Sequence, residues 1–110
     1  MLKITDEPIS PELVIDEVKR DAYGAVVSFV GIVRGYQESK RILYLEYDAY
    51  KEMTERKLKQ VADEVRSRWE MTDVAMIHRI GRLEVGETIV VIAVGAPHRK
   101  EAFEACQYAI

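Results

Sequence analysis

The sequence predicts one α+β domain, with helices packed against a mainly antiparallel or mixed β-sheet. Its 110 residues are enough for one hydrophobic core and too few for two. Apolar residues recur at helical spacing in three stretches and as alternating or continuous runs in four others, giving the order α-β-β-α-β-β-α. No internal repeat, linker or low-complexity segment divides the chain, so residues 1–110 read as a single unit.

Each element has a local reason. Ser10-Pro11-Glu12 is a helix start, with Ser able to cap free N–H groups and Pro suited to the first helical position. Val14, Val18 and Ala22 give that helix one apolar stripe, and Tyr23-Gly24 supplies its stop. Residues 25–33 (AVVSFVGIV) are almost all apolar, as for a strand buried on both faces. Residues 34–40 (RGYQESK) read as a polar loop. Residues 42–50 alternate, with Leu43, Leu45, Tyr47 and Ala49 on one face and Tyr44, Glu46, Asp48 and Tyr50 on the other. From 52 to 69 the period becomes helical. Leu58, Val61, Ala62, Val65 and Trp69 form the inner stripe, and Glu52/Arg56, Glu55/Lys59 and Glu64/Arg68 fall at supportive i,i+4 spacing. Residues 73–80 form a third strand, 81–87 a turn-rich connection with two glycines, and 88–96 a fully apolar fourth strand. The last helix opens near Pro97, with Ala102, Phe103, Cys106 and Ala109 facing inward.

Composition narrows the function classes. An apolar fraction of 48% and a charged fraction of 32% describe a soluble globular chain. With a net charge of −3 there is no global basic field for nucleic acid or anionic membrane, so any anion site must be local. The single cysteine, Cys106, rules out an internal disulfide and fits a reducing compartment. The N-terminus lacks a signal-peptide pattern, and the longest apolar run, 89–96, is too short to span a bilayer. The expected location is the cytoplasm.

Two corners carry candidate chemistry. At the start of the last helix the first-turn N–H groups are unpaired and partly positive, which suits an anion. His98, titratable near neutrality, and Arg99, able to hold a phosphate with two parallel bonds, stand at that same corner. Arg34 ends the first apolar strand after Gly31, whose missing side chain leaves room for a ligand. If the two apolar strands are neighbours, Arg34 and the His98-Arg99 pair are expected to converge at one edge. The residues alone equally permit a solvated arginine and a histidine that only caps a turn. His78-Arg79 lies in an alternating strand and reads as packed or solvated, and Cys106 on an apolar helix face as an inert core thiol rather than a sulfur carrier. Tyr44 and Tyr50 read as surface or interface residues, and Glu46 and Asp48 as solvated carboxylates. Phosphate loops, zinc spacings and serine-nucleophile turns are absent.

Four segments in order, GAVVSFVGIVRG (24–35), LEYDAYKEM (45–53), IHRIGRLEVGE (77–87) and APHRKEAFEAC (96–106), resemble the large, catalytic subunit family of molybdopterin synthase. The resemblance runs from about Gly24 to Ile110. It implies an enzyme of molybdenum cofactor biosynthesis that converts cyclic pyranopterin monophosphate (precursor Z) to molybdopterin by installing two sulfurs as a dithiolene. The implied partners are a small ubiquitin-like subunit carrying a C-terminal thiocarboxylate and a second copy of the chain, together a heterotetramer. No metal or other cofactor is implied. Carried over by position, the substrate-binding residues are Ile32, Val33 and Arg34, with His98 and Arg99; His98 is also a candidate proton shuttle. The family's two sulfur-transfer lysines belong to a segment beyond the position of Ile110, and Lys51, Lys57, Lys59 and Lys100 match no part of it. A chain continuing past Ile110 is therefore expected, and the alternative is a non-catalytic binding or dimerisation module of the same fold.

Overall fold

The computed structural model describes residues 1–47 and 50–110; Asp48 and Ala49, assigned above to the two faces of a strand, lie outside the described residues. The centre is a four-stranded sheet of β1 (Leu2–Thr5), β2 (Ala25–Ile32), β6 (Asp73–Arg79) and β8 (Thr88–Ala96), in the order β1-β6-β8-β2. β1 runs parallel to β6, and β8 pairs antiparallel with both β6 and β2. The sheet is mixed, and three helices cover it: α1 (Pro11–Glu17), α2 (Lys51–Arg68) and α3 (Arg99–Ala109).

The period-two geometry of a strand explains the layers. On β8, Val91 and Ala93 face one side, where they meet Val14 and Val18 together with Ala75 and Ile77 of β6. Ile92 and Val94 face the other side, against Ala62 and Val65 of α2 and Ala105 and Cys106 of α3. From Val91 to Ala96 both faces of β8 are thus dry, which suits a continuously apolar run. Trp69 and Tyr108 close the second layer edge-to-face at 5.5 Å, and the Tyr108 hydroxyl donates to Glu64 at 2.7 Å. Glu64 and Arg68 both serve Tyr108, Arg68 lying 4.6 Å above its ring, rather than forming the expected i,i+4 pair.

The remaining strands form two small ribbons. β3 (Tyr36–Gln37) and β4 (Lys40–Arg41) make a hairpin inside the stretch expected to be a loop. β5 (Tyr44–Tyr47) pairs with β7 (Gly81–Glu84), a strand inside the expected connection. β1 was not expected either.

Several expectations are corrected. β2 is not buried on both faces: it is an edge strand, with Phe29, Val30 and Ile32 exposed by 36%, 39% and 57%. α1 ends at Glu17, so Ala22 is outside it and exposed, and the Ser10 side chain makes no capping bond. Phe103 is exposed, whereas Ala105, unforeseen, is fully buried. Gly95 and Gly24 let chains touch: a Cβ on Gly95 would lie 2.1 Å from the Val18 carbonyl oxygen, and one on Gly24 2.8 Å from that of Pro97.

Candidate functional site

Arg34 leaves the end of β2 two residues past Ile32. The ladder to β8 shifts register between Gly31 and Ile32, and the chain is then held by backbone bonds to the next turn. The Val33 N–H donates to the Glu87 carbonyl at 3.0 Å, and the Gly86 N–H donates to the Val33 carbonyl at 2.8 Å. Val33 is itself buried, so its place in a site is positional: its side chain packs and its backbone is engaged. Ile32 and Arg34 face solvent. Beside them Gly35, Tyr36, Arg41, Leu43, Glu84 and Val85 surround a hollow of about 370 Å³. The gap at Gly31 is not open to a ligand: a Cβ there would lie 2.8 Å from Val90 Cγ1, so that glycine serves strand packing.

The second corner lies where β8 becomes α3. Helical geometry begins at Arg99, two residues later than expected, with His98 as N-cap in an extended conformation and without a side-chain capping bond. The His98 ring is therefore free of the turn-capping role, and it is 81% exposed, 3.9 Å from the Glu101 carboxylate. Arg99 is exposed in the first turn of the helix. The corner is braced from behind. The Gly24 N–H reaches the carbonyls of Ala96 and Pro97, both at 3.2 Å, and Asp73 accepts from Arg20 at 2.7 Å and from the Tyr23 hydroxyl at 3.2 Å.

The two corners do not converge within one protomer. β2 and β8 are neighbours as expected, but they are antiparallel, with Ala25 opposite Ala96 and Ile32 opposite Thr88. Arg34 therefore follows the end of β2 that meets the start of β8, while His98 and Arg99 follow the other end of β8. Seven strand steps separate the ends, about 23 Å. One phosphate cannot be gripped by both.

Residues 4–110 match the family model described as MoaE protein. The chain belongs to the MoaE family. Over 107 residues it is 48% identical to the molybdopterin synthase catalytic subunit of Halalkalibacterium halodurans, covering 97% of this chain and 69% of that relative. It is 45% identical to the corresponding Bacillus subtilis protein, covering 98% of this chain and 69% of the other. The crystal structure of molybdopterin synthase from Staphylococcus aureus superposes with a TM-score of 0.95 at 42% identity, covering 98% of this chain and 79% of that one.

The other polar residues of this MoaE-family chain have quieter surroundings. His78 packs edge-to-face on Tyr47 at 5.5 Å, with its Nδ1 2.9 Å from the Arg79 carbonyl. Arg79 is ion-paired with Glu87, a pairing that the sequence reading missed although two glycines mark the turn between them. Glu46 and Tyr44 are exposed on β5, and Arg82 stacks 4.0 Å above the Tyr44 ring. Cys106 is buried, and that burial raises its thiol above the ordinary range, which leaves it protonated and unreactive. Among the described residues, no cluster of three His, Cys, Asp or Glu stands ready for a metal ion, and no helix is long and apolar enough to cross a membrane.

Proposed function

We propose that this chain is a molybdopterin synthase catalytic subunit, a cytoplasmic sulfurtransferase acting on cyclic pyranopterin monophosphate. The sulfur comes from the thiocarboxylate of a small ubiquitin-like subunit. The observation that carries the reading is the arrangement of cations: Arg34 at one end of an exposed apolar edge strand, and His98 with Arg99 level with the other.

That arrangement calls for a second copy. An edge strand offers unpaired N–H and C=O groups, and β2 adds exposed Phe29, Val30 and Ile32. Pairing β2 antiparallel with the partner's β2 about a two-fold axis brings Arg34 level with the partner's Gly24, beside the partner's His98 and the partner's Arg99. A two-fold dimer then holds two equivalent cation pockets, each built from both chains.

In such a pocket the guanidiniums and the helix N-terminus fix the phosphate, and the ring system extends towards the hollow lined by Tyr36, Leu43 and Val85. The thiocarboxylate sulfur attacks a side-chain carbon of the bound pterin, the C–O bond at that carbon breaks, and water then hydrolyses the resulting thioester, leaving sulfur on the pterin and a carboxylate on the carrier. Holding both reactants together makes the first step effectively intramolecular. In this reading His98 moves a proton at the phosphate end. The sulfur-transfer lysines implied by the family resemblance are not among these residues.

The test mixes the full-length chain with a thiocarboxylated small subunit and the pterin phosphate. Dithiolene product, lost or slowed in Arg99→Ala, is the expected result. Tight binding without product would favour a non-catalytic module, and unchanged pterin affinity in Arg99→Ala would remove the pocket.

A further inference from the structure

We propose that Arg79 and Glu87 are positioning residues for Arg34: their half-buried ion pair fixes the turn at 84–87, and that turn holds the backbone from which Arg34 projects. The inference rests on the reading that Arg34 takes the substrate phosphate.

The links run in sequence. Arg79 is the last residue of β6, and its side chain is only 12% exposed. A guanidinium so placed needs an anion, and Glu87 is its partner. Its Nε has no hydrogen-bond partner among the described residues, so the Glu87 carboxylate is what anchors this group. Glu87 is itself used on both sides. One carboxylate oxygen meets Arg79, and the other accepts the Glu84 N–H at 2.8 Å. The Glu87 N–H returns a bond to the Glu84 carbonyl at 3.1 Å. Gly86 makes the turn at a φ of +88°, where a side chain would be strained.

This turn then takes hold of Val33. The bonds between Val33 and the backbone of Gly86 and Glu87 begin just where the β2–β8 ladder shifts register. Beyond Val33 comes Arg34, exposed, with no bonded partner for its guanidinium among the described residues. The place from which it reaches out is therefore set by the backbone one residue earlier. Freeing the Glu87 carboxylate frees the turn, then Val33, then the cation. A pair needed for stability alone is often replaceable by apolar residues, whereas this one delivers its constraint to a single place.

The experiment uses the full-length enzyme with its thiocarboxylated partner and compares wild type, Glu87→Gln, Arg79→Lys, Arg34→Ala and the Glu87→Gln/Arg34→Ala double variant. Dissociation constants for the pterin phosphate, KM, kcat and melting temperature are measured for each. Glu87→Gln is expected to weaken pterin binding about tenfold, as misplacement of a binding group does. The double variant is expected to bind no worse than Arg34→Ala alone, because Glu87 acts through Arg34. Arg79→Lys keeps the charge but loses the fork, and is expected to fall between wild type and Glu87→Gln; it supplies the readout if Glu87→Gln fails to fold. A lowered melting temperature with unchanged pterin affinity in both variants would make the pair purely structural and overturn the proposal. Full additivity with Arg34→Ala would overturn it as well. Unchanged affinity in Arg34→Ala would instead strike the reading of Arg34 itself.

Discussion

Mixed dimers put the shared pocket to a quantitative test. In the proposed site Arg34→Ala and Arg99→Ala would each remove charge-assisted hydrogen bonds to phosphate, about 1.5–3 kcal/mol apiece. In affinity that is roughly 10- to 150-fold, so a pterin concentration exists at which wild type is saturated and both variants are nearly empty. Arg34 and Arg99 stand at opposite ends of the β2–β8 pair, about 23 Å apart along the strands. In the proposed site each pocket of a two-fold dimer then draws one arginine from either chain. In a dimer of one Arg34→Ala and one Arg99→Ala chain, one pocket carries both truncations and the other carries neither. Heterodimers isolated with two affinity tags should bind about half the wild-type amount of pterin phosphate, and randomly paired mixtures about a quarter. Isothermal titration gives the number of sites directly. If both arginines served one pocket within a protomer, every heterodimer pocket would keep one truncation, and no binding would return. That result would refute the shared site.

Three further outcomes are expected. Gly95→Ala should destabilise by about 3 kcal/mol in urea unfolding, because its Cβ meets the Val18 carbonyl, and Gly31→Ala by only about 1 kcal/mol, because the Val90 side chain can turn aside. The Glu84 N–H and the Arg79 guanidinium hold the Glu87 carboxyl below its usual 4.5, so its stabilisation is present above that pH and is lost as pH falls through the lowered value. Glu87→Gln should accordingly be less stable than wild type at neutral pH, with the gap closing in acid, as melting curves across pH will record. Cys106 should resist alkylation at neutral pH in the folded protein and react promptly in urea, followed by mass spectrometry.

Much of the fold is legible in the sequence because its strongest periodicities belong to its most buried parts. The apolar run of β8 marks the strand shared by both cores, and the stripe of α2 marks the helix that covers one of them. What escaped is short or lacks its usual signal. The β3–β4 turn places Glu38 and Ser39 at φ of +49° and +68°, positions where Asn-Gly would have announced a hairpin. Apolar content cannot distinguish a strand buried between neighbours from one at an edge, so β2 read as interior. The site divided in the same way. Residue types at Arg34, His98 and Arg99 point to anion binding, but strand direction is a property of pairing, and pairing separated the two corners. Phe103 fits the helical stripe by spacing, yet α3 turns Ala105 inward in its stead.

A buried thiol also bears on where the sulfur is carried. Cys106, the sole cysteine, is walled in by Ala62, Val65 and Ile92 and keeps its proton. A thiol so placed is no store for a persulfide between turnovers. For the proposed chemistry, every product molecule would then consume two freshly loaded carriers, and throughput in the cell would follow the supply of charged partner more closely than the abundance of this chain.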